Sequence, residues 1–268
     1  MVLAMRNQVT QSETSRYFIQ SIANGLKVLE CFGKDRAGLT LMDLVRRLGW
    51  TKTSAYRYLA TFSSLGYLEI DEVSRRYRPT VKVLNLGYAA LNALTFPELA
   101  LPFLERLSRQ FDESTNMAVL DGTDVVYVAR TGSKRILATN LSVGSRLPAH
   151  CTSMGKVLLA FLPDAERERR LGKVSYTKYT PKTITDPMKL RRVLDAVRRQ
   201  GYAVNDQELD LGLRSCSVPV FDKEGKPIAA INVSVSSVRA SVEEVVDKYD
   251  PALTSASREI TKILKARS

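Results

Sequence analysis

Residues 40–65 read TLMDLVRRLGWTKTSAYRYLATFSSL, two helical patterns separated by one turn. Leu41, Leu44, Val45 and Leu48 form a stripe at helical spacing, with Thr40 ahead as N-cap and Gly49 behind as the stop. Thr51 caps the second helix, whose Ala55, Leu59, Phe62 and Leu65 form an apolar face that ends before Gly66. The opposite face holds Lys52, Thr53, Tyr56 and Arg57, with Ser54 at its edge. Tyr56 is expected outward and Tyr58 partly buried. This is the order of a helix-turn-helix, whose second helix reads base edges from the major groove through its first turns. Short hydroxyls with Lys and Arg suit such contacts to bases and phosphates.

Upstream, Ile22, Leu26, Leu29 and Phe32 recur at helical spacing and Gly33 stops the run. Downstream, two short apolar-bearing segments, 67–70 and 77–79, flank a charged tip and read as a hairpin, with Arg75, Arg76 and Arg78 poised for phosphate or minor groove. For Lys52 or Arg57 alone, a solvated helix face is the commoner explanation. The ordered set of helix, turn, polar-faced helix and Arg-tipped hairpin favours DNA, with Thr40 added to the candidates.

Charge agrees. The chain carries +12, and residues 1–80 hold 12 Lys/Arg against 7 Asp/Glu, a net of +5 in less than a third of the length. A basic balance steers toward polyanions without fixing the fold. Three cysteines, Cys31, Cys151 and Cys216, with no C-x-x-C, suggest neither a disulfide framework nor a zinc ribbon. No apolar run is long enough to span a bilayer, and residues 1–16 read as a polar, flexible arm without a signal-peptide core. A cytoplasmic protein with no cofactor and no metal is expected.

Past the hairpin, Val81, Leu84, Tyr88 and Leu91 mark a linker helix, with Pro97 as its end. The rest alternates. A helix carries Leu101, Leu104, Leu107 and Phe111. Strands are expected at 117–120 and 125–129 around Asp121-Gly122, and another at 136–141. Helices follow from Thr152 to Phe161, after Asp186-Pro187 to Gly201, and from Val242. Strands 217–221 and 228–235 flank a turn. An antiparallel sheet with helices packed on it is α+β. The expected division is an arm at 1–16, a winged helix-turn-helix at 17–80, a linker helix at 81–98 and a second domain at 99–268.

Two phrases in that second domain suggest a small-molecule site. Residues 147–160 read LPAHCTSMGKVLLA and open a helix, where free N–H groups attract a carboxylate and small Ser153 and Gly155 allow close approach. Residues 206–215 read DQELDLGLRS and join two strands, while Asn232 and Ser234 alternate along a later strand and so share a face. Each residue has a bland alternative: Ser153 as an ordinary first-turn serine, Arg214 as a partner of Glu208 or Asp206, His150 as a structural histidine, and Cys151 and Cys216 as small buried hydrophobes.

These phrases, with residues 229–234 (AAINVS), resemble the IclR family of bacterial transcription regulators over essentially everything from Tyr17 onward. They are similar to the branch that controls protocatechuate, 4-hydroxybenzoate and β-ketoadipate catabolism. The resemblance implies a winged helix, a linker helix, a GAF-like effector domain and dimers, often paired into tetramers, on palindromic operators. It carries effector-loop positions onto Ser153 and Met154, an acidic or amide position onto Asn205, a position often Cys onto Ser215, and a serine pair onto Asn232 and Ser234. An aromatic or β-keto acid effector needs a cation, for which Arg130, Arg135 and Arg214 are candidates; His150 completes the effector set. The alternatives are a regulator of the same fold tuned to glyoxylate or a sugar acid, and a serine acyl-transfer enzyme. The latter rests on Ser153-Met154-Gly155-Lys156, which matches S-x-x-K but lacks its companion motifs.

Overall fold

The computed structural model describes residues 17–34, 37–132 and 141–266. The arm at 1–16, Arg135, and the strand expected at 136–141 apart from Leu141 lie outside them. Leu141 belongs to no helix or strand. The chain divides into two compact units, residues 1–90 and 91–268.

The first unit contains α1 (Gln20–Glu30), α2 (Leu41–Leu48), α3 (Lys52–Ser64) and the antiparallel strands β1 (Leu68–Ile70) and β2 (Tyr77–Pro79). Its core is Val28, Phe32, Leu39, Leu44, Ala55, Leu59, Leu68 and Tyr77. The buried stripe of α1 differs from the expected one. Ile22 and Leu26 are more than half exposed, whereas Gly25 and Val28 are buried and Leu29 packs beside them. Both stripes obey helical spacing, and the buried one is disguised by Gly25, which has no side chain to mark it. A Cβ there would lie 3.2 Å from the Phe62 ring, so glycine lets α1 approach α3 closely. Leu65, expected on the apolar face of α3, is the C-cap residue and half exposed.

The linker is shorter than expected. A 3-10 turn at Val81–Val83 leads into α4 (Leu84–Asn92), which buries none of its residues. Pro97 does not close it but sits in the first turn of α5 (Phe96–Phe111). Proline's missing N–H has no partner to lose there, and its fixed φ suits a helix start.

The second unit continues with β3 (Ser114–Asp121), β4 (Asp124–Thr131), β5 (Arg146–Pro148), α6 (Ser153–Ala160), α7 (Asp164–Leu171), α8 (Pro187–Gln200), β6 (Ala203–Asp206), β7 (Leu213–Phe221), β8 (Pro227–Ser236) and α9 (Val242–Ala266). The strands form one antiparallel sheet in the order β5-β4-β3-β8-β7-β6. One face packs Met117, Ile231, Val233, Val218 and Val220 against Leu104 and Phe111 of α5 and Tyr249 and Leu253 of α9. The other packs Ala118, Ala230 and Ala203 against Val157 and Leu158 of α6 and Leu190 and Leu194 of α8. This is the α+β arrangement expected. The alanines matter because α6 is buried along its whole length and needs small residues beneath it. Gly155 faces the 3-10 turn Ala149–Cys151 that precedes the helix: a Cβ would lie 2.2 Å from the Ala149 carbonyl oxygen. No described helix is long and apolar enough to cross a membrane.

Candidate effector site and nucleic-acid interface

On α3 the residues singled out for DNA contact are on the outer surface. Lys52, Thr53, Ser54 and Arg57 are exposed, and Tyr56 is 55% exposed. Tyr58 is half-buried, tilted against Trp50 at 5.3 Å. The Thr51 hydroxyl accepts from the Ser54 N–H at 3.2 Å, so this N-terminal turn is held in helical form by its own cap.

Thr40 caps α2. Its hydroxyl accepts from the Asp43 N–H at 3.2 Å and donates to the Asp43 carboxylate at 2.8 Å, while that carboxylate takes the Thr40 N–H at 3.0 Å. This reciprocal capping box uses the hydroxyl's one donor and one of its two acceptor positions. The backbone bond from Thr40, then its hydroxyl, hold the Asp43 carboxyl down at about 2. The hairpin arginines divide. Arg76 donates to the Gly38 carbonyl at 2.8 Å and Arg78 to the Ala37 carbonyl at 3.4 Å, stitching the hairpin to the segment that bridges Leu39 to Tyr77. Arg75 sits in the turn between the strands with φ of 54° and is exposed.

The effector candidates meet around a cavity of about 230 Å³ between α6 and the sheet. Strand register explains why. Ser114, Ser234, Ser215 and Asn205 lie opposite one another across β3, β8, β7 and β6. Arg130, Asn116, Asn232 and Ser217 form a second row across β4, β3, β8 and β7. Residues in register point to one face, here the face covered by α6. Arg130, Ser153, Met154, Asn205, Ser215, Asn232 and Ser234 all line the cavity.

The rows are internally bonded but incomplete. Asn116 Nδ2 donates to Asn232 Oδ1 at 2.8 Å, and Asn232 Nδ2 donates to Ser234 Oγ at 3.2 Å. Ser153 and Ser215 share a hydroxyl bond of 2.8 Å. The buried Asn116 Oδ1 and Ser217 Oγ have no partner among the described residues. Such orphans cost free energy unless a guest satisfies them. No described carboxylate pairs with the Arg130 guanidinium. Tyr127 lines the same cavity, and burial pushes its phenol up to about 12, so it stays neutral.

Two candidates fall outside. Arg214 donates to Asp206 at 2.6 Å and to the Ser237 and Ala240 carbonyls at 2.7 Å, so its donors are committed to holding loops. Its strand parity explains this: it is opposite Val235, on the face away from the cavity. His150 is buried between Tyr176 and Tyr179, with Nε2 3.4 Å from the Thr177 carbonyl, and burial lowers its pKa. The acyl-transfer alternative also fails on geometry. Lys156 is buried, donates to the Val204 carbonyl at 3.2 Å and forms an ion pair with Glu208, so no free amine serves Ser153.

The cavity also uses residues the sequence reading passed over: Ser114, Asn116, Tyr127, Leu147, Leu209, Asp210 and Leu213. Ser114 and Asn116 carry the same period-two signal as Asn232 and Ser234. It was hidden because three successive polar residues, Ser114-Thr115-Asn116, read as loop and the strand was started at Met117.

The IclR helix-turn-helix domain profile matches residues 21–72, and that of the bacterial transcriptional regulator IclR C-terminal domain matches residues 88–262. The Pca regulon regulatory protein of Pseudomonas putida is 39% identical over 244 residues, covering 91% of this chain and 83% of that protein. The p-hydroxybenzoate hydroxylase transcriptional activator of Acinetobacter baylyi is 35% identical, covering 92% of each. The crystal structure of an IclR homolog complexed with 4-hydroxybenzoate from Microbacterium hydrocarbonoxydans is 30% identical, with a TM-score of 0.77, over 91% of this chain and 99% of that one. These relatives are regulators rather than enzymes, and the chain belongs to the IclR family of bacterial transcriptional regulators.

Proposed function

We propose that this regulator is controlled by a hydroxybenzoate-class acid held in the cavity beneath α6, and that it governs genes of aromatic-acid catabolism. The observation that carries the reading is Arg130: a cation that no described carboxylate pairs with, in a cavity smaller than the roughly 300–1,000 Å³ of drug-sized pockets. One ring with a carboxylate fits that space. The carboxylate meets Arg130, and the ring lies against Tyr127, Leu147, Met154 and Leu213. The relatives' names, and the 4-hydroxybenzoate bound to one of them, support this chemistry.

The DNA end of the reading assigns base and phosphate contacts to Lys52, Thr53, Ser54, Tyr56, Arg57 and Arg75, with Arg76 and Arg78 positioning the hairpin. The protein works in the cytoplasm as a homodimer or tetramer on a palindromic operator. A thermal-shift titration of the full chain with 4-hydroxybenzoate, protocatechuate, glyoxylate and gluconate tests the effector. Stabilisation by the first two alone is expected, because a ligand that binds only the folded state raises its melting temperature. Stabilisation by glyoxylate or gluconate alone would overturn the assignment.

A further inference from the structure

The helix that borders the effector cavity ends at a second recess. Ser153 and Met154 at the N-terminus of α6 line the cavity, and Phe161, its C-cap residue, lines a groove of about 820 Å³ beside β7 and α9. The groove exists because pairing between β6 and β7 stops at Ala203–Ser217, leaving Val218–Phe221 as a sheet edge. That edge is not open to another strand. The Ser257 hydroxyl donates to the Pro219 carbonyl, and the Phe221 N–H donates to Thr261 Oγ1 at 3.3 Å.

The floor is apolar. Phe161 and Phe221 meet edge to face at 5.5 Å, next to Val218 and Pro219. The walls are cationic. Arg198 comes from α8, and Arg258, Lys262 and Lys265 recur at i, i+4 and i+7 along α9, against one carboxylate, Asp250. Arg198 is paired with Asp164 at 2.9 Å. Arg258, Lys262 and Lys265 have neither an ion pair nor a hydrogen bond among the described residues. Complementing a helix dipole accounts for Lys265, the one of the three in the last turn of α9. It does not account for Arg258 and Lys262, because that effect fades beyond the last turn.

We propose that this groove is a second small-molecule site, for a compact polyanion with an aromatic body, of the nucleotide chemical class. The ring pair offers one apolar platform, not the row of holes at helical spacing that an acidic amphipathic helix needs. The three unpaired cations span roughly 10 Å of helix, the reach of a short chain of linked phosphates. A single buried helix, α6, joins this site to the effector cavity.

The test is fluorescence anisotropy of N-methylanthraniloyl-ADP with the full chain, in the presence of saturating 4-hydroxybenzoate and without divalent cations. Two exposed double variants are compared: Arg258→Ser/Lys262→Ser in the groove and Lys52→Ser/Arg57→Ser on α3. Saturable binding is expected, weakened about tenfold or more by the groove pair and unchanged by the α3 pair. Unaltered thermal unfolding of the groove pair verifies its fold, with Arg258→Gln/Lys262→Gln as the milder replacement. Absence of saturable binding at millimolar protein, equal weakening by both pairs, or tighter groove-dependent binding of a polyglutamate peptide than of the probe would each overturn the proposal.

Discussion

The outer face of α3 and the inner face of the sensor sheet both present rows of polar side chains, but in opposite surroundings. Lys52, Thr53, Tyr56 and Arg57 stand in water. Asn116, Asn205 and Asn232 are each at most 3% exposed. A polar group in water is satisfied before any partner arrives, so the α3 face is chosen by position alone. A buried polar group must find partners within the fold, so the sheet rows are defined by which atoms fail to find one. The surface row is open to a large, salt-sensitive polyanion; the buried row selects one small guest atom by atom.

If the two rows are independent devices, damage to one should spare the other. The largest effect is expected from Gly155→Val. A Cβ placed 2.2 Å from the Ala149 carbonyl forces α6 away from the 3-10 turn that precedes it, and overpacking of this kind costs about 3 kcal/mol. Differential scanning calorimetry should show a lowered transition for the sensor unit, and an unchanged trace would mean that α6 is free to shift. Next, Arg57→Ala should weaken operator binding about tenfold to a hundredfold, as loss of a base contact worth about 1–3 kcal/mol does. Effector affinity should stay the same, and footprinting identical to the wild type would remove Arg57 from the interface.

A smaller effect belongs to Thr40→Ala, which breaks the capping box. About 1 kcal/mol of stability should be lost, and reduced operator affinity should follow only through that loss. An affinity drop without destabilisation would return Thr40 to the DNA contacts. The mildest probe is pH. Burial raises the Asp206 carboxyl, but bonds from Lys182, Gln207 and Arg214 outweigh it and hold the group down at about 2. A depressed carboxyl stabilises the fold above its unfolded value near 4 and loses that contribution as pH falls from there toward 2. Urea titrations across this window should show the decline, and Asp206→Asn should make it shallower, leaving the share of other depressed carboxyls such as Asp43.

Much of this was legible in the sequence, for physical reasons that differ by region. The α2–α3 pair was readable because both caps are side chains, Thr40 and Thr51, and the polar face of α3 is uninterrupted. The buried stripe of α1 was not, since Gly25 contributes by lacking a side chain. In the sensor, Asn232 and Ser234 stood out because they alternate within an apolar strand, while Ser114 and Asn116 were masked by Thr115 between them. Arg214 was misread because it is one residue out of phase with Ser215, and in a strand one residue changes the face. The register that brings Arg130 opposite Asn116 joins positions far apart in the chain and is visible only once the strands pair.

The central claim, that a carboxylate guest is held at Arg130, is tested most directly by calorimetric titration of 4-hydroxybenzoate into the wild-type chain and Arg130→Met. Loss of a charge-assisted bond should weaken binding about tenfold or more, with operator affinity in the absence of effector unchanged. Equal affinities in the two proteins would contradict the account.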